Sequence, residues 1–327
     1  MAMLSVENLN IRFSTKRGVL QAVHEVSFSL EAGEVLGIVG ESGCGKSITN
    51  LALMGLLPTT ATVSATKMNF DGEELLDISE KRRRKLRGKK ISMIFQDPMS
   101  ALNPSFSVGQ QIDASLKVHG IKGKSKRRAV ALELLAKVGI TDGAIRLKNY
   151  PHELSGGMCQ RVMIALSLAL RPKLLIADEP TTALDVTIQA QILKLLVDLQ
   201  KDFNMGMIFV THDLGVVASV ADKIMVMYAG EVVEMGTAQQ VLSSPAHPYT
   251  KALLASLPES YEDKAAGSRQ ALPTISGMVP DLINRASGCQ LYPRCGQSEG
   301  SCETTKVGLV ELADGRRVRC LSVGEKR

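Results

Sequence analysis

The chain has 327 residues, enough for about two domains of ordinary size. With 45% apolar residues, 22% charged residues and a net charge of +6, its composition excludes a mainly disordered protein. No apolar run approaches the roughly 18 residues of a membrane span, and the first residues lack the pattern of a secretory signal. We therefore expect a protein on the cytosolic side of the membrane.

The first predicted elements are antiparallel strands. Residues 3–30 alternate between apolar and polar side chains around a turn in 14–18, as half-buried strands do. The unbroken apolar run 35–39 is typical of a buried parallel strand. A helix over 46–57 and a strand over 91–95 are predicted to follow.

The middle of the chain changes from strands to helices and back. Helical patterns over 97–160 indicate a helical subdomain inserted into an α/β core. Strands and helices then alternate, which predicts a mainly parallel sheet covered on both faces. The predicted elements are a strand over 174–177, a helix over 187–203, a strand over 207–211, a helix over 214–221, and a strand over 223–228. We assign residues 1–240 to this domain and 241–327, with a helix over 248–257, to a small irregular module.

A glycine-rich segment joins the strand over 35–39 to the following helix. Its sequence, GESGCGKS, fits the pattern G-x-x-x-x-G-K-[ST] in the context that a phosphate-binding loop requires. Glycines let successive backbone N–H groups point at phosphate oxygens, and the helix N-terminus adds positive charge. Lys46 is expected to reach the β- and γ-phosphates of a nucleotide, and Ser47 to bind Mg²⁺. The candidate nucleotide-binding residues are Gly40, Glu41, Ser42, Gly43, Cys44, Gly45, Lys46 and Ser47.

Two acidic residues follow the apolar strand over 174–177. Asp178 at the end of that strand is expected near the Mg²⁺ shell. Glu179 is expected to polarise a water molecule for in-line attack on the γ-phosphate. Acidic residues after a strand often only begin a helix, but downstream of a phosphate-binding loop they predict a nucleoside triphosphatase.

A second anion site is predicted at the start of a helix, in residues 154–161, which read LSGGMCQR. Ser155, Gly156 and Gly157 offer a hydroxyl and N–H groups at a helix N-terminus, which suits a γ-phosphate. Here the chain resembles the ATP-binding cassette (ABC) family, whose signature reads LSGGQ, with Met158 in place of the final Gln. The resemblance implies that this phosphate belongs to ATP bound by an opposing subunit.

Other residues match the family's motifs in the same order along the chain. Gln96 resembles the Q-loop glutamine that senses Mg²⁺ and faces the membrane partner. Residues 183–185 resemble the D-loop at the dimer interface, and His212 resembles the switch histidine that contacts the γ-phosphate. Phe13 resembles the aromatic residue that stacks on adenine, with a core position in its strand as the alternative.

The C-terminal module contains a cluster of four cysteines. Four thiolates are the number that completes a tetrahedral metal site or a [4Fe–4S] cluster. The spacing of these cysteines differs from both zinc ribbons and bacterial ferredoxins. They are Cys289, Cys295, Cys302 and Cys320.

Segments around these cysteines resemble one group within the family. Residues 245–250, PAHPYT, and residues 292–295, YPRC, resemble the C-terminal extension of dipeptide and oligopeptide importer ATPases. That resemblance implies a [4Fe–4S] cluster on the four cysteines. Zn²⁺ and unmetallated thiols are the alternatives.

The resemblance also implies partners and a location. It predicts an importer ATPase for short peptides that pairs with a second ABC ATPase subunit, identical or similar. Two transmembrane permease subunits and an extracellular or periplasmic substrate-binding protein complete the system, with this chain peripheral on the cytoplasmic side. Import of nickel or antimicrobial peptides, and a soluble non-transport ABC ATPase, are the alternatives.

The basic residues are concentrated, above all in residues 81–90, KRRRKLRGKK. Proteins that bind nucleic acid usually combine such runs with stacking aromatic residues or a groove-entering helix. This chain has no Trp and 4% aromatic residues. We therefore expect no nucleic-acid partner and interpret the run as a solvated surface near the cytoplasmic leaflet.

Overall fold

The computed structural model of the chain describes residues 2–182, 184–257, 275 and 277–324. The chain forms two compact units. The first comprises Met1–Leu30, Val35–Leu76 and Thr211–Arg327, and the second comprises Glu31–Glu34 and Asp77–Val210. The described residues beyond 240 thus share a unit with the N-terminal strands, and the domain boundary at residue 240 stays a prediction.

The strands of the described residues are, in chain order, β1 (Leu4–Thr15), β2 (Gly18–Leu30), β3 (Val35–Val39), β4 (Ala61–Ser64), β5 (Lys67–Phe70), β6 (Glu73–Glu74), β7 (Ile91–Ile94), β8 (Leu174–Asp178), β9 (Gly206–Thr211), β10 (Lys223–Tyr228), β11 (Glu231–Thr237), β12 (Val310–Glu311) and β13 (Arg317–Val318). The α-helices are α1 (Lys46–Met54), α2 (Glu80–Leu86), α3 (Pro98–Ala101), α4 (Val108–Val118), α5 (Lys124–Lys137), α6 (Gly143–Arg146), α7 (Gly156–Leu168), α8 (Val186–Phe203), α9 (Leu214–Ala218), α10 (Ala238–Ser243), α11 (Pro248–Ala255), α12 (Ser301–Thr304) and α13 (Leu321–Gly324).

The N-terminal strands form an antiparallel sheet in the first unit. β1 pairs with β2 on one edge and with β4 and β5 on the other, and β6 pairs with β5. Leu4, Val6, Leu9 and Ile11 of β1 are buried. The alternation changes phase between Val6 and Leu9, where the register shifts and Asn8 takes a positive φ of 53°. The predicted antiparallel structure over 3–30 is confirmed.

A second set of strands in the first unit carries the segment that leads into the glycine-rich loop. β3 pairs in parallel with β10, β10 pairs antiparallel with β11, and the order continues through β13 to β12. All five residues of β3 are buried, which explains its unbroken apolar sequence. The C-terminal module therefore extends this set of strands through β13.

The second unit contains three parallel strands in the order β9-β8-β7, together with α2 to α8. β8 lies in the middle and its five residues are buried. In α4, the residues Val108, Ile112 and Leu116 form one buried face at a four-residue spacing. Residues 97–160 contain helices and no strand, so the predicted helical content is confirmed, and the assignment of this segment as an inserted subdomain stays a prediction.

The structure differs from the sequence predictions mainly at element ends and in short strands. α1 ends at Met54, before the predicted end at Leu57, because Gly55 turns left-handed with φ of 60° and caps the helix. α9 ends at Ala218, before its predicted end at Ala221. β4, β5 and β6 are two to four residues long, too short for a recognisable apolar period. None of the helices in the described residues has the length and apolar character of a membrane span.

Candidate nucleotide site

The glycine-rich loop between β3 and α1 encloses the ammonium group of Lys46. This side chain is 5% exposed, and its Nζ donates hydrogen bonds to the carbonyl oxygens of Gly40 at 2.6 Å and Glu41 at 3.1 Å. Ser47 lies in the first turn of α1, next to Lys46. The loop thus places a buried cation and a hydroxyl at a helix N-terminus, the arrangement of an anion-binding site.

The remaining loop residues fall into a buried and an exposed group. Ser42 and Gly43 are exposed, whereas Cys44 is 1% exposed and Gly45 is buried. Burial raises the pKa of the Cys44 thiol, so this side chain stays protonated and packs as a small apolar group. Gly45 has a φ of 102°, and a Cβ there would lie 2.8 Å from the Ala22 carbonyl oxygen. Only glycine fits at this position without moving the loop.

The second unit brings two predicted catalytic residues together. Asp178 ends β8 and is 5% exposed, and Glu179 follows it with a left-handed φ of 47°. The amide Nε2 of Gln96 donates to Glu179 Oε2 at 3.0 Å. Thr182, which the sequence reasoning missed, donates its hydroxyl to the same oxygen at 2.9 Å. The Glu179 carboxylate is therefore held in one orientation by two donors, and its unusual backbone is typical of functional sites.

The signature segment begins helix α7. Ser155 is the N-cap, and its Oγ accepts a hydrogen bond from the Met158 N–H at 3.3 Å. A Cβ on Gly156 would meet nothing within 4 Å, so the helix start is open on that side. A Cβ on Gly157 would lie 3.1 Å from Ile188 Cγ2. The predicted anion site thus has a capped helix start with one accessible glycine.

A buried glutamine connects the signature helix to the segment after Glu179. Gln160 is 1% exposed, and its Nε2 donates to the Pro180 carbonyl oxygen. Cys159, also buried, donates its thiol to the Pro151 carbonyl oxygen at 3.3 Å. Neither contact is visible in a local sequence pattern. The signature helix and the residue after Glu179 are thus held together through a buried polar side chain.

The other predicted nucleotide contacts lie at the ends of elements. His212 is exposed, directly after β9, and precedes Asp213, whose side chain caps α9. Phe13 is half-buried near the end of β1, opposite Leu20 of β2. In the D-loop, Ala183 lies outside the described residues.

The four C-terminal cysteines line one small cavity of about 20 Å³, which His247 and both apolar and polar side chains also line. Burial, followed by the neighbouring thiols, raises the pKa of Cys289 to about 11. Burial also raises the pKa of Cys295. Within the described ranges, no three His, Cys, Asp or Glu side chains come close enough to hold a single metal ion. The four cysteines therefore converge on one cavity.

Comparisons with known proteins agree with these motifs. The ABC transporter family matches residues 23–182, and the family described as "Oligopeptide/dipeptide transporter, C-terminal region" matches residues 233–302. The chain is 52% identical to the dipeptide transport ATP-binding protein DppD of Escherichia coli (strain K12), over 98% of this chain and 96% of that protein. It is 48% identical to the oligopeptide transport ATP-binding protein OppD of Haemophilus influenzae, over 99% and 98%.

A solved structure shows the same fold. The dimeric post-hydrolysis state of the ATP-binding cassette MJ0796, bound to ADP and Pi, matches with a TM-score of 0.65 and 28% identity. The match covers 72% of this chain and 99% of MJ0796.

Proposed function

This chain belongs to the ABC transporter family, in the group of dipeptide and oligopeptide transport ATP-binding proteins, and on this premise we propose that it hydrolyses ATP to drive uptake of short peptides. The observation that carries the reaction is the Glu179 carboxylate, oriented at the end of β8 by Gln96 and Thr182. A fixed carboxylate in a chain with a phosphate-binding loop suits hydrolysis of a nucleoside triphosphate. The peptide cargo is supported by the names of the relatives.

In the proposed mechanism, Glu179 accepts the proton of the water molecule that attacks the γ-phosphate in line, while the bond from the γ-phosphorus to the bridging oxygen breaks and ADP leaves. Lys46 stabilises the negative charge that spreads over the phosphate oxygens, and His212 contacts the γ-phosphate. Bound Mg²⁺ would neutralise charge between the β- and γ-phosphates. The side chains that we propose as its ligands, directly or through water, are Ser47, Gln96 and Asp178.

We propose further that two cassettes share two ATP molecules. Phe13 stacks on adenine, and Ser155, Gly156 and Gly157 contact the γ-phosphate of ATP held by the opposing subunit. The capped and open start of α7 supports this role, since its free N–H groups suit an anion. The second subunit is another ABC ATPase, identical or similar to this one.

The replacement Glu179→Gln tests the reaction. It removes the proton acceptor but keeps the shape of the side chain, so we expect ATP turnover of the assembled transporter to fall by about 100-fold or more. ATP affinity should stay close to that of the wild type. Phosphate release measures the turnover, and equilibrium binding measures the affinity for ATP.

Glu133→Gln is the matched control for this test. It makes the same chemical change on an exposed carboxylate of α5, paired with Arg171 at 3.6 Å. This variant should keep wild-type turnover. Normal turnover in the Glu179 variant would contradict the proposed mechanism.

The partners and the location follow from the same proposal. Two transmembrane permease subunits bind this chain at the cytoplasmic face of the membrane, and a periplasmic or extracellular protein delivers the peptide. Purification from detergent-solubilised membranes should therefore recover permease chains with the ATPase. Recovery of the chain without any membrane protein would favour a non-transport ABC ATPase. Uptake assays with dipeptides, longer peptides, antimicrobial peptides and nickel would then identify the cargo.

We also propose that the four C-terminal cysteines hold a [4Fe–4S] cluster. Their fit rests on the shared cavity and on four thiols, the number that such a cluster takes. ATP hydrolysis does not require such a cluster. We therefore propose that its role is to stabilise the module.

Iron and acid-labile sulfide in anaerobically purified protein test this assignment. We expect about four of each per chain and a broad visible absorption, since four thiolates ligate the cluster. Cys302→Ser should lose iron, whereas Cys159→Ser, at a buried thiol outside the cavity, should keep it. Stoichiometric zinc without sulfide would contradict the cluster.

A further inference from the structure

The C-terminal module contacts the phosphate-binding loop at Glu41, within the first unit. The guanidinium of Arg294 donates to both carboxylate oxygens of Glu41, from Nη1 at 2.8 Å and from Nη2 at 3.1 Å. The backbone N–H of Glu41 donates to the hydroxyl oxygen of Tyr249 at 2.9 Å. One loop residue is thus held by its side chain and by its backbone. Both contacts come from beyond residue 240.

The Arg294 side chain is held by further contacts besides the one with Glu41. Its side chain is 6% exposed, and Glu41 is 26% exposed. Arg294 also donates to the Tyr228 hydroxyl at 3.2 Å and to the Ile275 carbonyl oxygen at 3.1 Å. A two-pronged ion pair that is largely removed from water is strong and directional, and removing one partner leaves an uncompensated charge.

Glu41 lies where a negative charge is unfavourable for the proposed ligand. It follows Gly40, and the carbonyls of both residues accept hydrogen bonds from Lys46. A free carboxylate at this point of the loop would repel the polyphosphate of ATP. The sequence alone leaves this acidic residue of the loop unexplained. The Arg294 guanidinium supplies the compensating charge.

The position of Arg294 along the chain ties this contact to the cysteine cavity. Arg294 ends the short 3₁₀ turn Tyr292–Arg294, and its backbone N–H donates to the Leu291 carbonyl oxygen at 2.8 Å. The next residue, Cys295, lines the cavity. The fold of the cysteine module therefore determines where the guanidinium lies.

We propose that Arg294 is a positioning residue for ATP: it neutralises the carboxylate of Glu41 at the start of the phosphate-binding loop, so that nucleotide affinity depends on the C-terminal module. The inference rests on the ATP binding proposed above. Arg294 acts through Glu41 and makes no contact with the reacting atoms.

The two ends of the ion pair have opposite effects on ATP affinity in this proposal. Arg294→Gln leaves the carboxylate of Glu41 uncompensated, so ATP binding by the full chain should weaken by about tenfold. Glu41→Gln removes the repelling charge and should bind ATP at least as tightly as the wild type. The double variant should return to within about threefold of the wild-type dissociation constant, because both charges are absent. The dissociation constant for ATP is measured by equilibrium binding for the wild type, the two single variants and the double variant.

A purely structural role predicts a different pattern. If the ion pair only holds the module in place, both single variants weaken binding and the double variant does not recover. In the assembled transporter, Arg294→Gln should raise the KM for ATP with kcat within about twofold, because Glu179 and its partners are untouched. A fall in kcat with an unchanged KM would overturn the proposal.

Lys306→Gln is the matched control. Lys306 of the C-terminal module pairs with Glu25 of β2 at 2.9 Å, and both side chains are more exposed than Arg294 and Glu41. This variant removes a module contact away from the loop and should leave ATP affinity unchanged. If Arg294→Gln does not fold, Arg294→Met, which removes the same charge, should bind ATP about tenfold more weakly than the wild type. Arg294→Lys keeps the compensating charge and should stay within about threefold of the wild-type dissociation constant.

The outcomes separate this inference from the proposed function. A wild-type chain that does not bind ATP would refute the proposed function itself. ATP binding by the wild type together with an unchanged affinity in the Arg294 variant that lacks the charge would refute only the role of Arg294.

Discussion

Single residues of the site depend on backbone geometry that few side chains permit. A Cβ on Gly40 would lie 2.1 Å from the Met227 carbonyl oxygen and 2.7 Å from Cys44 Sγ, so any larger residue must displace the loop. Glu179 occupies the left-handed region, where a backbone hydrogen bond from its N–H to the Val210 carbonyl oxygen at 2.9 Å holds it. Contacts with neighbouring strands thus explain both why position 40 is a glycine and how Glu179 is held in a left-handed conformation.

A buried carboxylate anchors the segment that carries Tyr249. Glu234 of β11 is 0% exposed and accepts hydrogen bonds from the backbone N–H groups of Ala246 at 2.8 Å and His247 at 2.9 Å. Arg316 lies 3.6 Å from the same carboxylate. A buried acid is retained here because each of its oxygens has a donor and a cation balances its charge.

Replacing Glu234 by Ala should lower the free energy of unfolding by about 3 kcal/mol, because it leaves the N–H groups of Ala246 and His247 without their acceptor and removes the charge that Arg316 faces. Urea unfolding of the full chain measures the change. Glu7→Ala serves as the control, since Glu7 is exposed and pairs with Lys67 at 3.4 Å on the surface. A Glu234 variant as stable as the control would show that the segment 245–250 is anchored elsewhere.

At the scale of elements, the start of α7 combines a structural and a functional role. The Ser155 hydroxyl caps the helix, and we propose that it also contacts ATP. Asn caps helices about as well as Ser, whereas Ala does not cap them. The two roles are therefore separable by choice of side chain.

Ser155→Ala should lower the free energy of unfolding by about 1 kcal/mol through loss of the cap, and Ser155→Asn should leave it nearly unchanged. Both variants should reduce ATP turnover of the assembled transporter, because both lack the hydroxyl. Thermal unfolding and phosphate release are the two measurements. Wild-type turnover by the Asn variant would mean that Ser155 is only a cap.

Elements with a long apolar period were predictable, and their ends and the short strands were not. The face of α4 repeats every four residues, and β3 is apolar throughout, so local sequence is sufficient for both. The end of α1 depended on the left-handed turn of Gly55. β13 has two residues and exists because it pairs with β11, a contact that no local pattern encodes.

The whole molecule has a net charge of +6, but acidic side chains pair with some of the basic ones locally. In the basic run 81–90, helix α2 is mostly exposed, and Glu80 at its start pairs with Arg84 at 3.3 Å and Arg87 at 2.9 Å. This geometry is that of a solvated surface helix with its own ion pairs. The interpretation of the run as a solvated surface agrees with it.

The sequence by itself revealed the glycine-rich loop between β3 and α1, the acidic pair at the end of β8 and the signature segment, because each depends on neighbouring residues in a fixed local spacing. It also determined the family, since those motifs occur in order along the chain. Only the tertiary structure decided that Gln96 and Thr182 share the Glu179 carboxylate, and that four cysteines spread over residues 289–320 line one cavity. It alone brought Arg294 to Glu41, 253 residues earlier. Such contacts depend on the path of the folded backbone, which local spacing does not record.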